Sequence, residues 1–234
     1  MGKLEQPVTA AGASDDSNEP EAIETAGYML SGVVSVRGHE RALAKLAVSA
    51  EDELIEHRGL AALVHAVPYR LPEWSRNQIQ EHHLTIDRAT RRCTIVPAPY
   101  GVVFRYKEHL TEFLEDQHVA LEEALAYLDG TIEMRVHIQP SGRRPETSEG
   151  EQADQTAAFY TALRRRSRAA FTLPPTGSRI LSAAFLVNRA DWVSFIEYAD
   201  ELDADNPEYQ FDVSSWPPYD FVRMTFFPRE IPGE

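Results

Sequence analysis

The sequence has very little cysteine and no long apolar run. Its 234 residues include a single cysteine, Cys93, so an internal disulfide is excluded and a reducing, cytoplasmic compartment is expected. No apolar stretch approaches the roughly 20 residues that cross a bilayer. The N-terminus also lacks a basic segment followed by an apolar core. We therefore expect neither a membrane partner nor a secretory signal.

The chain is also short of positive charge. Its 23 Lys and Arg residues face 37 Asp and Glu residues, and the net charge of −14 argues against nucleic acid as a partner because phosphates would be repelled. Residues 1–26 carry six carboxylates against Lys3 alone and almost no large apolar side chains. This composition predicts a disordered acidic tail over 1–26.

Motifs that carry catalysis or bind cofactors are missing as well. The sequence contains no G-x-S-x-G elbow, no HExxH or CxxC spacing, and no phosphate-binding loop of the GxxxxGK[ST] or GxGxxG type. His82 and His83 are adjacent on a predicted helix, where neighbouring side chains point in different directions, so by themselves they do not chelate a metal. We expect no catalytic residue, no cofactor and no metal.

Apolar periodicity predicts an N-terminal α+β domain over 27–129. The expected strands are the alternating or β-branched stretches 28–36, 53–57 and 60–67, with two short strands within 94–104. One helix is expected over 74–91. Leucines at 3.6-residue spacing predict a second, long helix over 107–128 that ends at Asp129-Gly130.

The remaining residues, 130–234, are predicted to form a C-terminal α+β domain with an extended tail. The expected order is strand 131–139, helix 152–171, strand 179–187, a second helix, and strand 208–213. Asn188 is expected to cap the second helix, which would bury Trp192. Helices between amphipathic strands favour an open sheet covered on one side, which is a ferredoxin-like plan.

Two consecutive prolines and three aromatic residues lie close together near the C-terminus, in Ser215-Trp216-Pro217-Pro218-Tyr219-Asp220-Phe221-Val222. Prolines fix φ and remove backbone donors, so no helix or sheet ladder continues through them. The preceding strand is expected to end at Val213, and the rings of Trp216, Tyr219 and Phe221 to pin the tail onto the body. Two interpretations stay open: a rigid corner without a partner, or a ligand groove lined by these rings.

Four arginines, Arg164, Arg165, Arg166 and Arg168, are concentrated in five residues of an otherwise acidic chain. One interpretation is a solvated face that offsets nearby carboxylates. The other is an anchor for an acidic partner.

Four segments carry a family resemblance when taken in order. They are 28–34; 59–64 with Val67-Pro68; 96–104 with the long helix and 129–136; and 183–187 with Trp216-Pro217-Pro218-Tyr219-Asp220-Phe221-Val222. This ordered set, covering about 27–223, resembles the GvpF/GvpL family of gas vesicle proteins. The chain departs from the family pattern at Pro99, where an arginine is common, and at Ser214-Ser215, where Gly-Pro is usual.

The resemblance implies a non-enzymatic cytoplasmic protein associated with gas vesicles, built from two α+β domains of which the second is ferredoxin-like. It further implies an assembly factor or minor structural component that binds the small hydrophobic shell protein, GvpA, and accessory gas vesicle proteins. The four arginines are then candidate charged contacts, and the three aromatic residues shape the binding surface. The alternative function is a small-ligand-binding or regulatory α+β module without catalysis.

Overall fold

The computed structural model describes residues 26–37, 52–69, 75–142 and 149–222. These residues form nine strands in two antiparallel sheets, together with five α-helices. The predicted α+β class is therefore confirmed. The predicted acidic tail lies outside the described residues except for Ala26, and so does the end of the C-terminal tail, 223–234. No helix within the described ranges is long and apolar enough to cross a membrane.

The first sheet is organised around its first strand. Its strands are β1 (Ala26–Ser35), β2 (Asp52–His57), β3 (Leu60–Pro68), β4 (Ile95–Pro97) and β5 (Val103–Phe104). β1 pairs with β3 on one side and with both β4 and β5 on the other. Gly32 sits at a register shift in β1, where a Cβ atom would lie 2.6 Å from the carbonyl oxygen of Val96. Only glycine allows the two strands to approach this closely.

Helices cover both faces of this sheet. They are α1 (Arg76–Thr90), α2 (Lys107–Asp116) and α3 (His118–Leu128). In β3, Ala61 and Leu63 pack with residues of α1, whereas Ala62 and Val64 pack with residues of α2 and α3. Burial on both faces explains why β3 reads as a continuous apolar run rather than an alternating one.

The single long helix predicted over 107–128 is wrong, because the chain breaks into α2 and α3 at Gln117. This residue has φ −98° and ψ 7°, outside the helical range. Phe113 of α2 and Leu121 of α3 are both buried in one core.

The second sheet has helices on one face. It contains β6 (Thr131–Pro140), β7 (Ala169–Thr172), β8 (Leu181–Asn188) and β9 (Tyr209–Trp216), with α4 (Glu149–Arg164) and α5 (Trp192–Asp205). The strand order is β7-β8-β6-β9. Met134 and Val136 of β6 pack with Phe159 of α4 and Phe195 of α5. The element order is that of ferredoxin-like folds, and the ferredoxin-like class itself stays a prediction.

Three local predictions in this half are corrected. Residues 169–171 were expected to be helical, but they form β7, which pairs with β8. The last strand does not end at Val213; it runs on to Trp216, because its ladder with β6 continues as far as Glu133.

The start of α5 also differs from the prediction. Asn188 is the last residue of β8 rather than the cap of α5, and Asp191 occupies the N-cap position. This shift places Trp192 on the outer face, where it is 43% exposed.

Candidate functional site

The aromatic corner, defined as Trp216, Tyr219 and Phe221, lies where the second sheet meets α1. β9 ends at Trp216, and two buried prolines lead into a short 3₁₀ turn over Tyr219–Phe221. The rings of Trp216 and Tyr219 meet His83 of α1 edge-on, at centroid distances of 6.1 and 5.6 Å. Such edge contacts are favourable, so the corner joins the end of the second sheet to a helix of the first half.

Phe221, the third ring of the corner, faces a different neighbour. Its ring centroid lies 4.8 Å from that of Phe171 in β7. Phe221 and Val222 also pack against the buried cluster of the first half, which includes Leu186 of β8. The two halves of the chain therefore share a continuous apolar interior at this point.

Beneath the corner, three charged side chains form a closed network. The Arg135 guanidinium donates from Nε to Oε1 of Glu133 at 2.7 Å and from Nη2 to Oδ2 of Asp220 at 2.8 Å. The backbone N–H of Asp220 donates to Oε2 of Glu133 at 3.2 Å. The same guanidinium lies 4.3 Å from the ring centroid of Trp216. The network fastens the 3₁₀ turn to β6 through charge-assisted hydrogen bonds.

Burial shifts the ionisation of the groups around the corner. Glu133 is fully buried, and this burial, reinforced by the Asp220 carboxylate and opposed by Arg135, raises its pKa to about 7. Burial and the nearby Arg135 charge lower the pKa of His83, so that its ring is neutral at pH 7. Burial raises the pKa of Tyr219, whose hydroxyl has no hydrogen-bond partner among the described residues.

The four arginines form a separate region at the end of α4. Arg165, Arg166 and Arg168 line a cleft of about 480 Å³, together with Asn188 and Ser194; we call this region the basic cleft. Its remaining lining residues are Ser167, Asp191 and Phe195. Arg164 is the last residue of α4 and is not among the residues that line the cleft.

Two arginines of the basic cleft rest on tyrosine rings. The Arg166 guanidinium carbon lies 3.7 Å from the ring centroid of Tyr198 in α5, and that of Arg168 lies 4.9 Å from the ring centroid of Tyr127 in α3. Stacking on a ring orients a guanidinium without using its hydrogen-bond donors. Within the described ranges, none of the four arginines makes an ion pair with a carboxylate.

The structure thus divides the candidate residues predicted from the sequence into two sets. Trp216 and Tyr219 both contact His83, whereas Phe221, in the same 3₁₀ turn as Tyr219, contacts Phe171 of β7. Three of the arginines lie together in the basic cleft. Sequence reasoning missed Glu133, Arg135 and Asp220. Glu133 and Arg135 alternate with apolar residues on β6 and so resemble a solvated face, and Asp220 is 85 residues from Arg135 along the chain.

A small cavity in the first half was also missed. It has a volume of about 160 Å³ and lies between β1, β3 and α1, with Ser31, Glu81, His82, Thr85 and Tyr100 among its lining residues. His82 is almost fully buried and bonds through Nε2 to the carbonyl oxygen of Ala98 at 3.0 Å. Because a carbonyl oxygen only accepts, Nε2 carries the proton, and Nδ1 has no partner among the described residues.

Cysteine, histidine and carboxylate side chains are the other groups that could carry chemistry. Among the described residues, no three His, Cys, Asp or Glu side chains come together in a way that could hold a metal ion. Cys93 is buried in the cluster beneath α1, and burial raises the pKa of its thiol to about 11, so it is uncharged at neutral pH. A buried neutral thiol is a poor nucleophile.

Comparison with known sequences gives a consistent match. The profile of the family described as gas vesicle synthesis protein GvpL/GvpF matches residues 32–143 and 138–223. Gas vesicle protein F1 of Halobacterium salinarum is 24% identical over 179 residues, which cover 72% of this chain and 79% of that protein.

Two solved structures share the fold. The crystal structure of the gas vesicle protein GvpF from Anabaena sp. PCC7120 superposes with a TM-score of 0.74 at 16% identity, covering 86% of this chain and 97% of that one. GvpF from Microcystis aeruginosa gives a TM-score of 0.69 at 16% identity, covering 85% and 99% of the two chains.

Proposed function

Because this chain belongs to the GvpL/GvpF family of gas vesicle synthesis proteins, we propose that it acts in gas vesicle assembly by binding the small hydrophobic shell protein, GvpA, and accessory gas vesicle proteins. The observation that carries the proposal is the family match, which extends over nearly all described residues, from 32 to 223. In this proposal the protein works by binding, in the cytoplasm and at the gas vesicle, and not by catalysis.

A binding role suits the chemistry of the shell. A small protein that lines a gas space must expose large apolar surfaces, and such surfaces aggregate in water unless a partner covers them. An assembly factor that binds the shell protein before incorporation would prevent this aggregation. A well-packed α+β body supplies a rigid surface for that contact.

The two candidate regions have different parts in this proposal. The rings of the aromatic corner contact His83 and Phe171. Their proposed part is therefore to hold the binding surface in place by internal packing, and not to contact the partner directly. The arginines of the basic cleft are exposed and supply charged contacts to a partner.

A pull-down with purified shell protein, combined with deletion of the gene, tests the function. We expect the shell protein to be retained by the full chain and vesicle formation to fail or to yield misshapen vesicles in the deletion strain. The proposal is wrong if the shell protein is not retained and the deletion strain also makes normal vesicles.

One observation favours the second candidate function, a small-ligand-binding or regulatory module. The cavity beside His82 has a mixed polar lining and a volume of about 160 Å³, enough for a small metabolite. Thermal-shift screening of metabolites would reveal such a ligand as an increase in Tm that is lost in a Thr85→Leu variant, which fills the cavity. A screen without any such increase leaves assembly as the single proposed function.

A further inference from the structure

We propose that the basic cleft is a binding site for a carboxylate-rich peptide segment of a partner protein. The inference rests on the proposed binding function. It adds that the partner segment bound at this surface is rich in carboxylates. It is carried by the arginines, by the start of α5 and by the distribution of negative charge around the cleft.

The arginines of the cleft are available for an anion. Arg165, Arg166 and Arg168 are exposed, and among described residues no carboxylate pairs with them, although the chain carries a net charge of −14. An arginine presents a planar fork that matches a carboxylate with two parallel hydrogen bonds. Because Arg166 and Arg168 are already oriented by tyrosine rings, less side-chain entropy is lost when they bind.

The start of α5 adds further donors on the same side. Ser194 lines the cleft, and no described side chain caps the N-terminus of this 14-residue helix. The N-cap residue, Asp191, instead accepts a hydrogen bond at Oδ2 from Nδ2 of Asn188 at 3.1 Å. Within the described part of the chain, no side chain therefore accepts from the N–H groups of the first turn, and the positive end of the helix dipole favours an anion there.

The negative charge on α5 beside the cleft favours binding of a short acidic segment over binding of a long polyanion. The outer face of α5 carries Glu197, Asp200 and Glu201, all exposed, and Asp191 is the single carboxylate among the described lining residues. A nucleic acid that ran across the cleft would meet this negative face, whereas a short segment can place its carboxylates on the arginines alone. Arginine clusters recognise acidic peptide motifs in this way. The volume of about 480 Å³ lies within the roughly 300–1,000 Å³ of ligand sites.

The test is titration of the full chain into a fluorescent hexaglutamate peptide at low salt, followed by anisotropy, with a hexaglutamine peptide as the neutral control. We expect saturable binding of hexaglutamate that weakens as salt is added, because screening grows. Arg165→Glu combined with Arg168→Glu should weaken binding by about tenfold or more, since two charge-assisted contacts become repulsive. Asp191→Asn should tighten it by about twofold, because the nearby like charge is removed.

A matched control variant is Arg105→Glu. Arg105 is likewise exposed and stacked on a tyrosine, with its guanidinium carbon 5.1 Å from the ring centroid of Tyr106, but it lies outside the basic cleft. This variant should bind hexaglutamate as the unmodified chain does. If the double charge reversal unfolds the protein, Arg165→Gln, which removes one charge without introducing repulsion, replaces it.

Three results would overturn the inference: no saturable binding of hexaglutamate, an equal loss in Arg105→Glu, or complete displacement of the peptide by low millimolar inorganic phosphate. The last result would identify a simple phosphate site. Failure here is separable from failure of the proposed function. If shell protein or accessory proteins bind equally to the unmodified chain and to the double variant, the binding function stands and the cleft assignment is wrong.

Discussion

The aromatic corner and the basic cleft place arginine beside aromatic rings in opposite ways. In the corner, Arg135 lies over Trp216 and bonds two carboxylates, one of them fully buried. In the cleft, Arg166 and Arg168 lie over tyrosine rings, and no described carboxylate meets them. Arginine stacked on an aromatic ring is thus paired with carboxylates in the aromatic corner, whereas in the basic cleft it has no carboxylate partner among the described residues.

From this difference we predict that the aromatic corner maintains the fold and that the basic cleft, as proposed above, binds a partner. A buried charge must be paired, because an uncompensated one costs several kcal/mol. An exposed charge costs little and can be used in binding. Variants of the corner should therefore change stability, and variants of the cleft should change association.

The largest effect is expected for Arg135→Ala. The substitution leaves Glu133 and Asp220 side by side without the guanidinium that both contact, and we expect the free energy of unfolding to fall by about 3–5 kcal/mol. Urea denaturation at pH 7.5 measures this change. In the same assay Arg105→Ala, which removes an exposed stacked arginine, should cost less than about 1 kcal/mol. Equal losses in the two variants would contradict a structural role for the corner network.

The pH dependence of stability should reveal the buried carboxylate. The pKa of Glu133 is about 7 in the folded protein, against an ordinary value of 4.5. Between pH 4.5 and about 7 the folded chain binds a proton that the unfolded chain releases, so the free energy of unfolding falls by up to about 3 kcal/mol as the pH rises. The contribution still changes near pH 7, where Glu133 is half protonated in the folded protein, and it becomes constant only at pH values well above 7.

Comparison with Glu133→Gln isolates that contribution. His82 and His83 have lowered pKa values, and they act in the opposite direction, because stability is lost as the pH falls below 6.5 and the unfolded histidines take up protons. Both histidines are present in the two proteins, so the difference between unfolding curves recorded from pH 4 to 8 reports Glu133. A difference that does not vary with pH would show that Glu133 titrates normally.

A smaller effect is expected for Trp216→Ala. The side chain is half-buried and contacts Arg135 and His83, so its loss should cost about 2 kcal/mol and lower Tm by about 4–8 °C. Trp192→Ala is the matched control, because Trp192 is 43% exposed and should cost less than about 1 kcal/mol. If Trp192→Ala proved the more damaging variant, the corner would not be the better-packed of the two sites.

The smallest effect on stability is expected in the basic cleft. Arg165→Glu combined with Arg168→Glu removes one stacking contact, on Tyr127, and should change the free energy of unfolding by less than about 1 kcal/mol. The same variant should lose binding to acidic peptide. A large loss of stability would show that the cleft, like the corner, maintains the fold.

The sequence predicted a strand or helix best where the spacing of apolar residues within that one element shows which of its faces are buried. The strands at β1, β3, β6 and β8 appear within about two residues of their predicted bounds, because alternation or a continuous apolar run reflects the faces that the sheet buries. The tetrapeptide Ala169–Thr172 was missed because it is too short to show a period. It is a strand because its register with β8 supplies hydrogen bonds.

The candidate site was only partly predictable for the same reason. The arginine run and the Trp-Pro-Pro-Tyr element are contiguous, so they can be recognised in the chain. Glu133, by contrast, alternates on β6 as a solvent-facing residue would, and it is buried because a turn more than 80 residues later covers it. A contact at that separation leaves no periodic signal.

The amino-acid order alone determined the α+β class and the family, since both follow from patterns that neighbouring residues carry. Only the folded chain decided which of the described arginines pair with carboxylates and which do not. That choice depends on which side chains the two sheets and the tail bring together and shield from water, and therefore on the electrostatic cost of burying each charge.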